Sequence, residues 1–398
     1  MKLSNRAYNI QASPIRKLMP YANEARKQGK KVYQLNIGQP DIETPQVMID
    51  AYRNYNEKVL SYGPSQGLDE YRKGLLGYYQ GLGIENLAVD DIIVTIAGTE
   101  AIVLALYVVC NPGDEIIIPE PFYTNYNGFA TMTDIVVKPV TTFAENGFAI
   151  PKREEIEKAI TSKTKAIMLC NPGNPTGTVY TKDELAEIVD LAKKHDLFVI
   201  ADEVYREFVY DGLKHTSILD FKDAAERTIV VDSVSKRYSA CGARIGCIVS
   251  RNKDLMAAVL KFAQARLCPP TVDQLAANAC FQLGDDYFQQ VNQEYRERRD
   301  LVYAELQKNP DIVCTKPGGA FYLLPKFPIK DAEKFIIWLL TEFDLDGETV
   351  MGAPGEGFYA TPGIGKDEIR LAYVLNKEAL KKAMHILLTG LEKYRSIE

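Results

Sequence analysis

The sequence predicts an α/β protein in which a mostly parallel β-sheet lies between helices and is joined to a smaller α+β domain. Three apolar, β-branched runs at 166–170, 197–201 and 228–231 are typical of strands buried on both faces of a parallel sheet. A helical pattern at 182–195 separates the first two runs, which indicates βαβ units with right-handed crossovers. Because 398 residues exceed the size at which a single core stops growing, the length predicts two domains.

Composition and charge are those of a soluble globular protein. Hydrophobic residues make up 46% of the chain and charged residues 25%, which is enough apolar material for a large core. The net charge of -6 and the absence of long Lys or Arg runs disfavour a nucleic-acid partner. No apolar run approaches the roughly eighteen residues of a membrane span, so we expect no membrane insertion.

The cysteines, the N-terminus and the histidines favour a reduced, cytoplasmic protein without a catalytic metal. The seven cysteines are odd in number and form no CxxC pair, and residues 1–6 lack the apolar region of an export signal. The three histidines, His195, His215 and His385, are too far apart for a metal-ligand motif.

Shorter elements precede the three strand runs. The patterns predict a helix at 14–28, a strand starting at 32, a helix after the glycine-rich turn at 62–67, a strand at 92–96, a helix at 101–109 and a strand at 115–119. Pro14 suits a helix start, and Gly29 suits a helix end. Gly98 lies where a strand gives way to a helix, and the unpaired N–H groups of a helix N-terminus make such a junction a ready anion site.

The C-terminal part of the chain alternates its elements differently, as an α+β domain would. Helical patterns dominate to about residue 309, and we then expect a strand within 317–325, a helix at 332–343 and a strand at 369–374. Arg370 lies in the last, apolar strand, where burial is costly unless an anion meets the guanidinium group. The partner is either a ligand carboxylate or a structural salt bridge.

Polar residues follow the three buried strand runs at the edge of the sheet where ligands of α/β proteins bind. Asn174 follows the first run, Asp202 and Tyr205 follow the second, and Lys236 follows the third. A carbonyl cofactor joined to a lysine as a Schiff base needs a carboxylate beside its pyridine nitrogen and donors for its ring oxygen and phosphate. This set of residues fits that chemistry, although a single strand-end lysine is more often a solvated surface cation.

With these motifs in order, the sequence resembles the class I and II aminotransferases, pyridoxal phosphate (PLP) enzymes of fold type I. The resemblance extends from about residue 32 to about residue 374 and is closest to the bacterial aspartate aminotransferase subgroup. It implies a large PLP-binding domain at 46–290 with a seven-stranded, mostly parallel sheet. The smaller α+β domain would combine the two termini, 1–45 and 291–398.

The resemblance also implies roles for individual residues. Lys236 would join the cofactor and carry the proton, Asp202 would pair with the pyridine nitrogen, and Tyr205 would complete the catalytic set. The other cofactor-binding residues would be Gly98, Thr99, Ser233 and Arg244 at the phosphate, Tyr123 stacked on the ring, Asn174 at the ring oxygen with Tyr205, and Tyr62 reaching the phosphate of a neighbouring subunit. The substrate-binding residues would be Gly38, Asn174 and Arg370.

The implied reaction is transfer of an amino group from an L-amino acid to a 2-oxo acid by a homodimer with shared active sites. Aspartate and 2-oxoglutarate are the leading substrates, giving oxaloacetate and glutamate. An aminotransferase for aromatic, alanine or other amino acids, or a PLP-dependent lyase, would keep every cofactor residue, so these alternatives stay open. Tyr123 stands where many aspartate-specific relatives have tryptophan.

Two features of the substrate site have no assignment from the sequence. Arg16 and Lys17 are either exposed helix charges or contacts to the substrate's side chain. The loop at 353–366 is longer than usual, and we expect it to reshape the substrate entrance.

Rival classes find little support in the sequence. A PLP-dependent transcription regulator needs a DNA-binding module, for which the thirty or so residues before the first motif leave no room. A NAD-binding α/β protein needs a GxGxxG fingerprint after its first strand, and the sequence has none.

Overall fold

The computed structural model describes residues 1–397. Its strands are β1 Lys31–Gln34, β2 Ile92–Ile96, β3 Glu115–Glu120, β4 Val136–Thr141, β5 Thr164–Cys170, β6 Phe198–Asp202, β7 Thr228–Ser233, β8 Ile245–Val249, β9 Tyr322–Leu323, β10 Glu348–Met351, β11 Ala353–Pro354 and β12 Ile369–Ala372.

The α-helices are α1 Asn5–Asn9, α2 Met19–Lys27, α3 Gln46–Arg53, α4 Asp69–Gly81, α5 Ala97–Val109, α6 Asn125–Thr133, α7 Arg153–Ala159, α8 Lys182–Lys194, α9 Val234–Arg237, α10 Lys253–Arg266, α11 Thr271–Ala279, α12 Asp285–Leu306, α13 Ala332–Thr341 and α14 Lys377–Arg395. Short 3-10 helices lie at Val89–Asp91, Ala144–Asn146, Ile218–Asp220, Lys222–Arg227, Cys280–Gln282 and Gly355–Phe358.

Seven strands form the central sheet in the order β2-β8-β7-β6-β5-β3-β4. Pairing is parallel from β7 to β4, and only β8 runs antiparallel to both of its neighbours. Successive side chains of a strand point to opposite faces, and in β7 Val230 joins one core cluster while Ile229 and Val231 join the other. Both faces are therefore covered, which explains why the strand runs are continuously apolar and confirms the predicted α/β fold.

The remaining strands form two small sheets near the chain ends. β1 pairs in parallel with β10, and β12 lies between β11 and β9 in an antiparallel sheet. The apolar side chains of β1, β9, β10 and β12 share one core cluster with those of α12, α13 and α14, and Tyr205 and Phe208 from the segment after β6 join it. The division into 1–45 with 291–398 and 46–290 stays a prediction.

Some element boundaries differ from the predicted ones for local reasons. The helix predicted at 14–28 begins only at Met19, with Pro20 in its first turn, and residues 14–18 form turns. The helix predicted at 101–109 begins at Ala97, so Gly98 and Thr99 lie within its first turn. Strand β4 falls in a stretch for which no strand was predicted.

Gly246 of β8 lies where the central sheet meets the start of α5. A Cβ added there would lie 2.5 Å from the carbonyl carbon of Ala97, 2.7 Å from the carbonyl oxygen of Asp232 and 2.8 Å from the amide nitrogen of Gly98. All three atoms are backbone atoms, which rotamer changes cannot move. Only glycine lets β7, β8 and α5 approach this closely.

We therefore expect Gly246→Ala to lower the free energy of unfolding by about 1–3 kcal/mol, because the added methyl group overpacks this junction. Urea unfolding followed by circular dichroism measures the change. Gly128→Ala in α6 is the matched control, since a Cβ there meets no atom within 4 Å and alanine favours a helix interior. Equal unfolding midpoints for Gly246→Ala and the parent protein would contradict the packing argument.

Within residues 1–397, no helix is both long enough and apolar enough to cross a membrane.

Candidate active site

A cavity of about 780 Å³ opens at the carboxyl ends of the parallel strands, between them and residues near both chain termini. The sequence-predicted residues in its lining are Gly38, Gly98, Thr99, Tyr123, Asn174, Asp202, Tyr205, Ser233, Lys236, Arg244 and Arg370. Tyr62 is not in the lining, and 82% of its surface is exposed. The strand ends thus gather the predicted residues of this chain, whereas a role for Tyr62 needs a second subunit.

Lys236 lies in α9, the single turn of helix that directly follows β7. Its Nζ donates a hydrogen bond to the carbonyl oxygen of Gly38, 2.8 Å away, and lies 3.7 Å from the Sγ of Cys241. In the described chain no carboxylate pairs with this amine. The lysine is therefore not held in an ion pair, as an amine that acts as a nucleophile requires.

Asp202 ends β6 and is buried beside the lysine's strand. Its Oδ2 accepts a hydrogen bond from the hydroxyl of Tyr126 at 2.7 Å. Burial raises the pKa of Asp202 to about 6, because no cation forms an ion pair with it within residues 1–397, and the hydrogen bond from Tyr126 only partly opposes the effect. A buried carboxylate without a cation fits the protonated nitrogen of a heteroaromatic ring.

A buried ion network lies directly beneath these residues. The carboxylate of Asp232 accepts hydrogen bonds from Arg237 and from the Tyr79 hydroxyl at 3.1 Å, and lies 4.0 Å from Arg206. Arg206 also pairs with Glu203 at 2.5 Å. Burial by itself would raise the pKa of Asp232, but the two guanidinium groups outweigh it and hold the pKa below its usual value.

Four of the five members of this network, all except Tyr79, are chain neighbours of a cavity residue. Asp202 precedes Glu203, Tyr205 precedes Arg206, Asp232 precedes Ser233, and Lys236 precedes Arg237. The network therefore fixes the backbone on both β6 and β7 from the side that faces away from the cavity.

The start of α5 offers a cradle for an anion. Gly98 and Thr99 lie in the first turn of this thirteen-residue helix, whose leading N–H groups lack intrahelical acceptors. Ser233 and Arg244 line the same cavity, and Arg244 Nη1 donates to the carbonyl oxygen of Cys241 at 2.9 Å. Backbone donors, a hydroxyl and a guanidinium group together suit a phosphate. Glu100 accepts a hydrogen bond from the Ile96 amide at 2.6 Å and pairs with an arginine outside the cavity.

Arg370 is buried to 99% and lacks a carboxylate partner in the described structure. Its guanidinium group lies 4.6 Å from the ring of Tyr322 and 4.8 Å from the ring of Phe358. One Nη donates to Asn174 Oδ1 at 3.0 Å and the other to the carbonyl oxygen of Asn36 at 2.6 Å, while Nε has no partner. The alternative of a structural salt bridge is therefore wrong, and an anion is the group that would complete this site.

Sequence reasoning missed several side chains that shape the cavity. Tyr322 hydrogen bonds to Tyr205 at 2.9 Å, and a Cβ on Gly38 would lie 1.8 Å from its hydroxyl. This contact explains why glycine is needed at position 38. Tyr126 lies one turn beyond Tyr123 in a segment rich in aromatic residues, which was the only signal for it.

The long loop at 353–366 is anchored to the central sheet. The buried carboxylate of Glu120 accepts hydrogen bonds from the amides of Ala360 at 2.7 Å and Thr361 at 3.1 Å. The carbonyl oxygen of Phe358 accepts one from the Phe122 amide at 2.9 Å. These bonds hold the Phe358 ring against Arg370.

Comparison with known proteins places the chain in a family. Residues 30–387 match the family described as "Aminotransferase class I and II". The aspartate aminotransferase of Bacillus subtilis is 31% identical over 99% of this chain and 100% of its own. Aromatic-amino-acid aminotransferase 2 of Thermococcus litoralis is 31% identical over 96% of this chain and 97% of its own. A solved structure of alanine aminotransferase from Pyrococcus furiosus has a TM-score of 0.88 and 33% identity, and the match covers 98% of this chain and 100% of that one.

A sheet of this order, with a lysine and a buried carboxylate at its strand ends, is the arrangement of fold type I transferases, and the family match agrees with it. The chain therefore belongs to the class I and II aminotransferases.

The burial of Asp202 has a cost that depends on pH. The pKa of this carboxyl group is near 3.9 in the unfolded chain and about 6 in the folded chain. The group therefore destabilises the folded state most at pH values at which it is ionised in both states. The penalty is absent below about pH 4, grows as the pH rises to about 6, and then stays constant at an upper value of about 3 kcal/mol.

We therefore expect Asp202→Asn to raise the melting temperature of the cofactor-free protein at pH 7 and to leave it nearly unchanged at pH 4. Calorimetry at the two pH values measures the difference. Glu392→Gln, which removes an exposed carboxylate, is the control and should shift neither value. A less stable Asp202→Asn protein at pH 7 would show that the ionised carboxylate stabilises the fold.

Proposed function

We propose that the protein catalyses PLP-dependent transamination between L-aspartate and 2-oxoglutarate, giving oxaloacetate and L-glutamate. The observation that carries the proposal is the shared cavity of Lys236, Asp202 and Arg370: an amine outside any ion pair, a buried carboxylate without a cation, and a buried guanidinium group without an anion. Aspartate comes first because the Bacillus subtilis relative bears that name.

The residues present fit the cofactor that this family uses. Asp202 would hold the proton on the pyridine nitrogen, Asn174 and Tyr205 would face the ring oxygen, and Tyr123 would stack on the ring. The phosphate would occupy the cradle formed by Gly98, Thr99, Ser233 and Arg244. Bound there, the group supplies an electron sink for the negative charge that develops at the substrate Cα.

Lys236 has two tasks in this proposal. Its amine would hold the cofactor covalently, and when free it would take the proton from the substrate Cα. The half-buried position of Lys236 after β7 suits both tasks, because the ion network fixes the backbone at Arg237 while the Lys236 amine is held only by neutral groups of the described chain.

Arg370 orients the substrate by its α-carboxylate. A carboxylate that meets its unpaired edge satisfies Nε and gains a planar, two-point contact. The Asn174 amide, already bonded to Arg370, lies beside the same position. The rings of Tyr322 and Phe358 beside the guanidinium group exclude water from it, which strengthens the contact.

Spectroscopy of the PLP-loaded protein tests this function. Single amino acids are added without any oxo acid, and we expect aspartate or glutamate to convert the cofactor's visible band to that of its amine form, while phenylalanine and alanine leave it unchanged. Lys236→Ala should lose both the covalent band and the conversion, and Lys261→Ala on α10 is a matched lysine control.

Other outcomes of that titration distinguish the remaining functions. Conversion by aromatic amino acids would indicate the specificity named for the Thermococcus litoralis relative, and conversion by alanine that named for the Pyrococcus furiosus relative. Release of ammonia with a 2-oxo acid would identify a lyase. No conversion by any amino acid would overturn transamination.

We further propose a cytoplasmic homodimer in which Tyr62 reaches the phosphate of the neighbouring subunit. Val59, Leu60 and Tyr62 are 71%, 73% and 82% exposed, which leaves a large apolar segment uncovered on the single chain. Free thiols at all seven cysteines are in keeping with a reducing compartment.

Light scattering should therefore give twice the 44.6 kDa mass of the chain. Tyr62→Phe should weaken PLP binding about 10- to 100-fold, since a hydrogen bond to a charged group is lost, while Tyr8→Phe, at another exposed tyrosine, should not. A fully active monomer would remove the role of Tyr62.

A further inference from the structure

Arg16 is the basic residue of the cavity lining, within residues 1–397, for which neither the cofactor nor the α-carboxylate has a use. It lies in the turn between Pro14 and α2, where its amide donates to the carbonyl oxygen of Ser13 and its carbonyl oxygen accepts from the amide of Met19, both at 3.0 Å. The backbone of this turn is thus fixed, while the side chain is exposed and lines the cavity.

The turn is attached to the elements that hold Arg370. The side-chain amide of Asn36 donates to the carbonyl oxygen of Ile15 at 3.0 Å, and the carbonyl oxygen of the same Asn36 accepts from Arg370. On the other side, Ile15 packs against the cluster that contains Phe358. Asn36 and the Phe358 cluster therefore contact Arg370 and also position Ile15, the residue next to Arg16.

The two basic residues of this turn have different surroundings. Lys17 points away from the cavity lining and forms an ion pair with Glu333. Arg16 lines the cavity, and no carboxylate of the described chain lies within ion-pair distance of it. The structure thus separates two residues that the sequence left equivalent.

The charges of the cavity leave one cation unassigned. Its basic lining residues are Arg16, Lys236, Arg244 and Arg370, and Asp202 is its one carboxylate within residues 1–397. In the proposed function Lys236 binds the cofactor, Arg244 the phosphate and Arg370 the α-carboxylate. Arg16 remains for a further negative group.

Tyr123 shows that Arg16 and Arg370 act on one region of the cavity. Burial raises the pKa of its hydroxyl to about 12, and the positive charges of Arg370 and Arg16 both oppose that rise. Tyr123, Arg16 and Arg370 all line the cavity, and the Tyr123 hydroxyl lies within reach of the fields of both guanidinium groups.

We propose that Arg16 binds the distal carboxylate of the substrate and so selects dicarboxylic amino and 2-oxo acids of four or five carbons. This inference rests on the proposed function and names its substrate class. A guanidinium group offers a carboxylate two parallel hydrogen bonds, which an alanine or aromatic side chain cannot use. Arg16 is a specificity residue in this proposal and takes no part in proton transfer.

The test uses unreactive ligands of matched length on the full-length, PLP-loaded protein. Calorimetric titration with succinate and with butyrate compares two four-carbon acids that differ in one carboxylate. We expect Arg16→Met to weaken succinate binding about 10- to 100-fold and to leave butyrate binding unchanged. Arg16→Lys should recover part of the loss, and Lys17→Met, one residue away, should have no effect on either acid.

A second measurement ties binding to turnover. With Arg16→Met, kcat/KM for aspartate should fall by a similar factor, and alanine should still give no conversion. Unchanged succinate binding, equal losses of succinate and butyrate, or a parent protein that does not prefer succinate would each overturn the proposal.

Failure of the proposed function gives a different pattern. In that case the parent protein converts no amino acid, yet the calorimetric comparison of succinate with butyrate still decides whether Arg16 reads a second carboxylate.

Discussion

The candidate active site depends on the buried carboxylate of Asp232. Two guanidinium groups and a tyrosine hydroxyl converge on it, and removing any one partner of such a network leaves an uncompensated buried charge. Because the residues of the network alternate along the chain with those of the cavity, a shift beneath the sheet edge would move Ser233, Lys236 and Asp202 together. Burying these charges costs desolvation free energy. Their mutual contacts hold the backbone of the site in a single geometry.

Much of the fold could be predicted because the strand signals are local. Apolar runs flanked by polar turns gave β5, β6 and β7 to within about two residues at each end, since burial on both faces of a sheet demands continuous apolar sequence. The antiparallel direction of β8 produces no local sequence pattern, because it depends on how the preceding segment connects β7 to β8. Likewise, the early start of α5 depends on packing around Gly246, which is 149 residues away from Ala97 in sequence.

The residues of the candidate site likewise include some that local sequence could predict and others that it could not. Lys236, Asp202 and Asn174 could be found because each lies at the end of a strand or within four residues after it, and their chemistry is recognisable from residue type. Tyr322, Phe358 and Asn36 could not, because their contacts join segments far apart in the chain. The two aromatic residues are also of types that commonly fill cores. Arg16 is intermediate: the sequence marks it as basic, but only the structure separates it from Lys17.

The parallel pairing of β1 with β10 has a consequence for how the protein is made. Lys31 pairs with Glu348, so a strand synthesised early has no partner until most of the chain has left the ribosome. All seven strands of the central sheet are complete by Val249, whereas Asn36 meets Arg370 only near the end of translation. A nascent chain shorter than about 350 residues thus carries the sheet and an unpaired edge, the kind of surface that chaperones protect. The surroundings of Arg370, where we propose that the α-carboxylate binds, are thus among the later parts of the described structure to form.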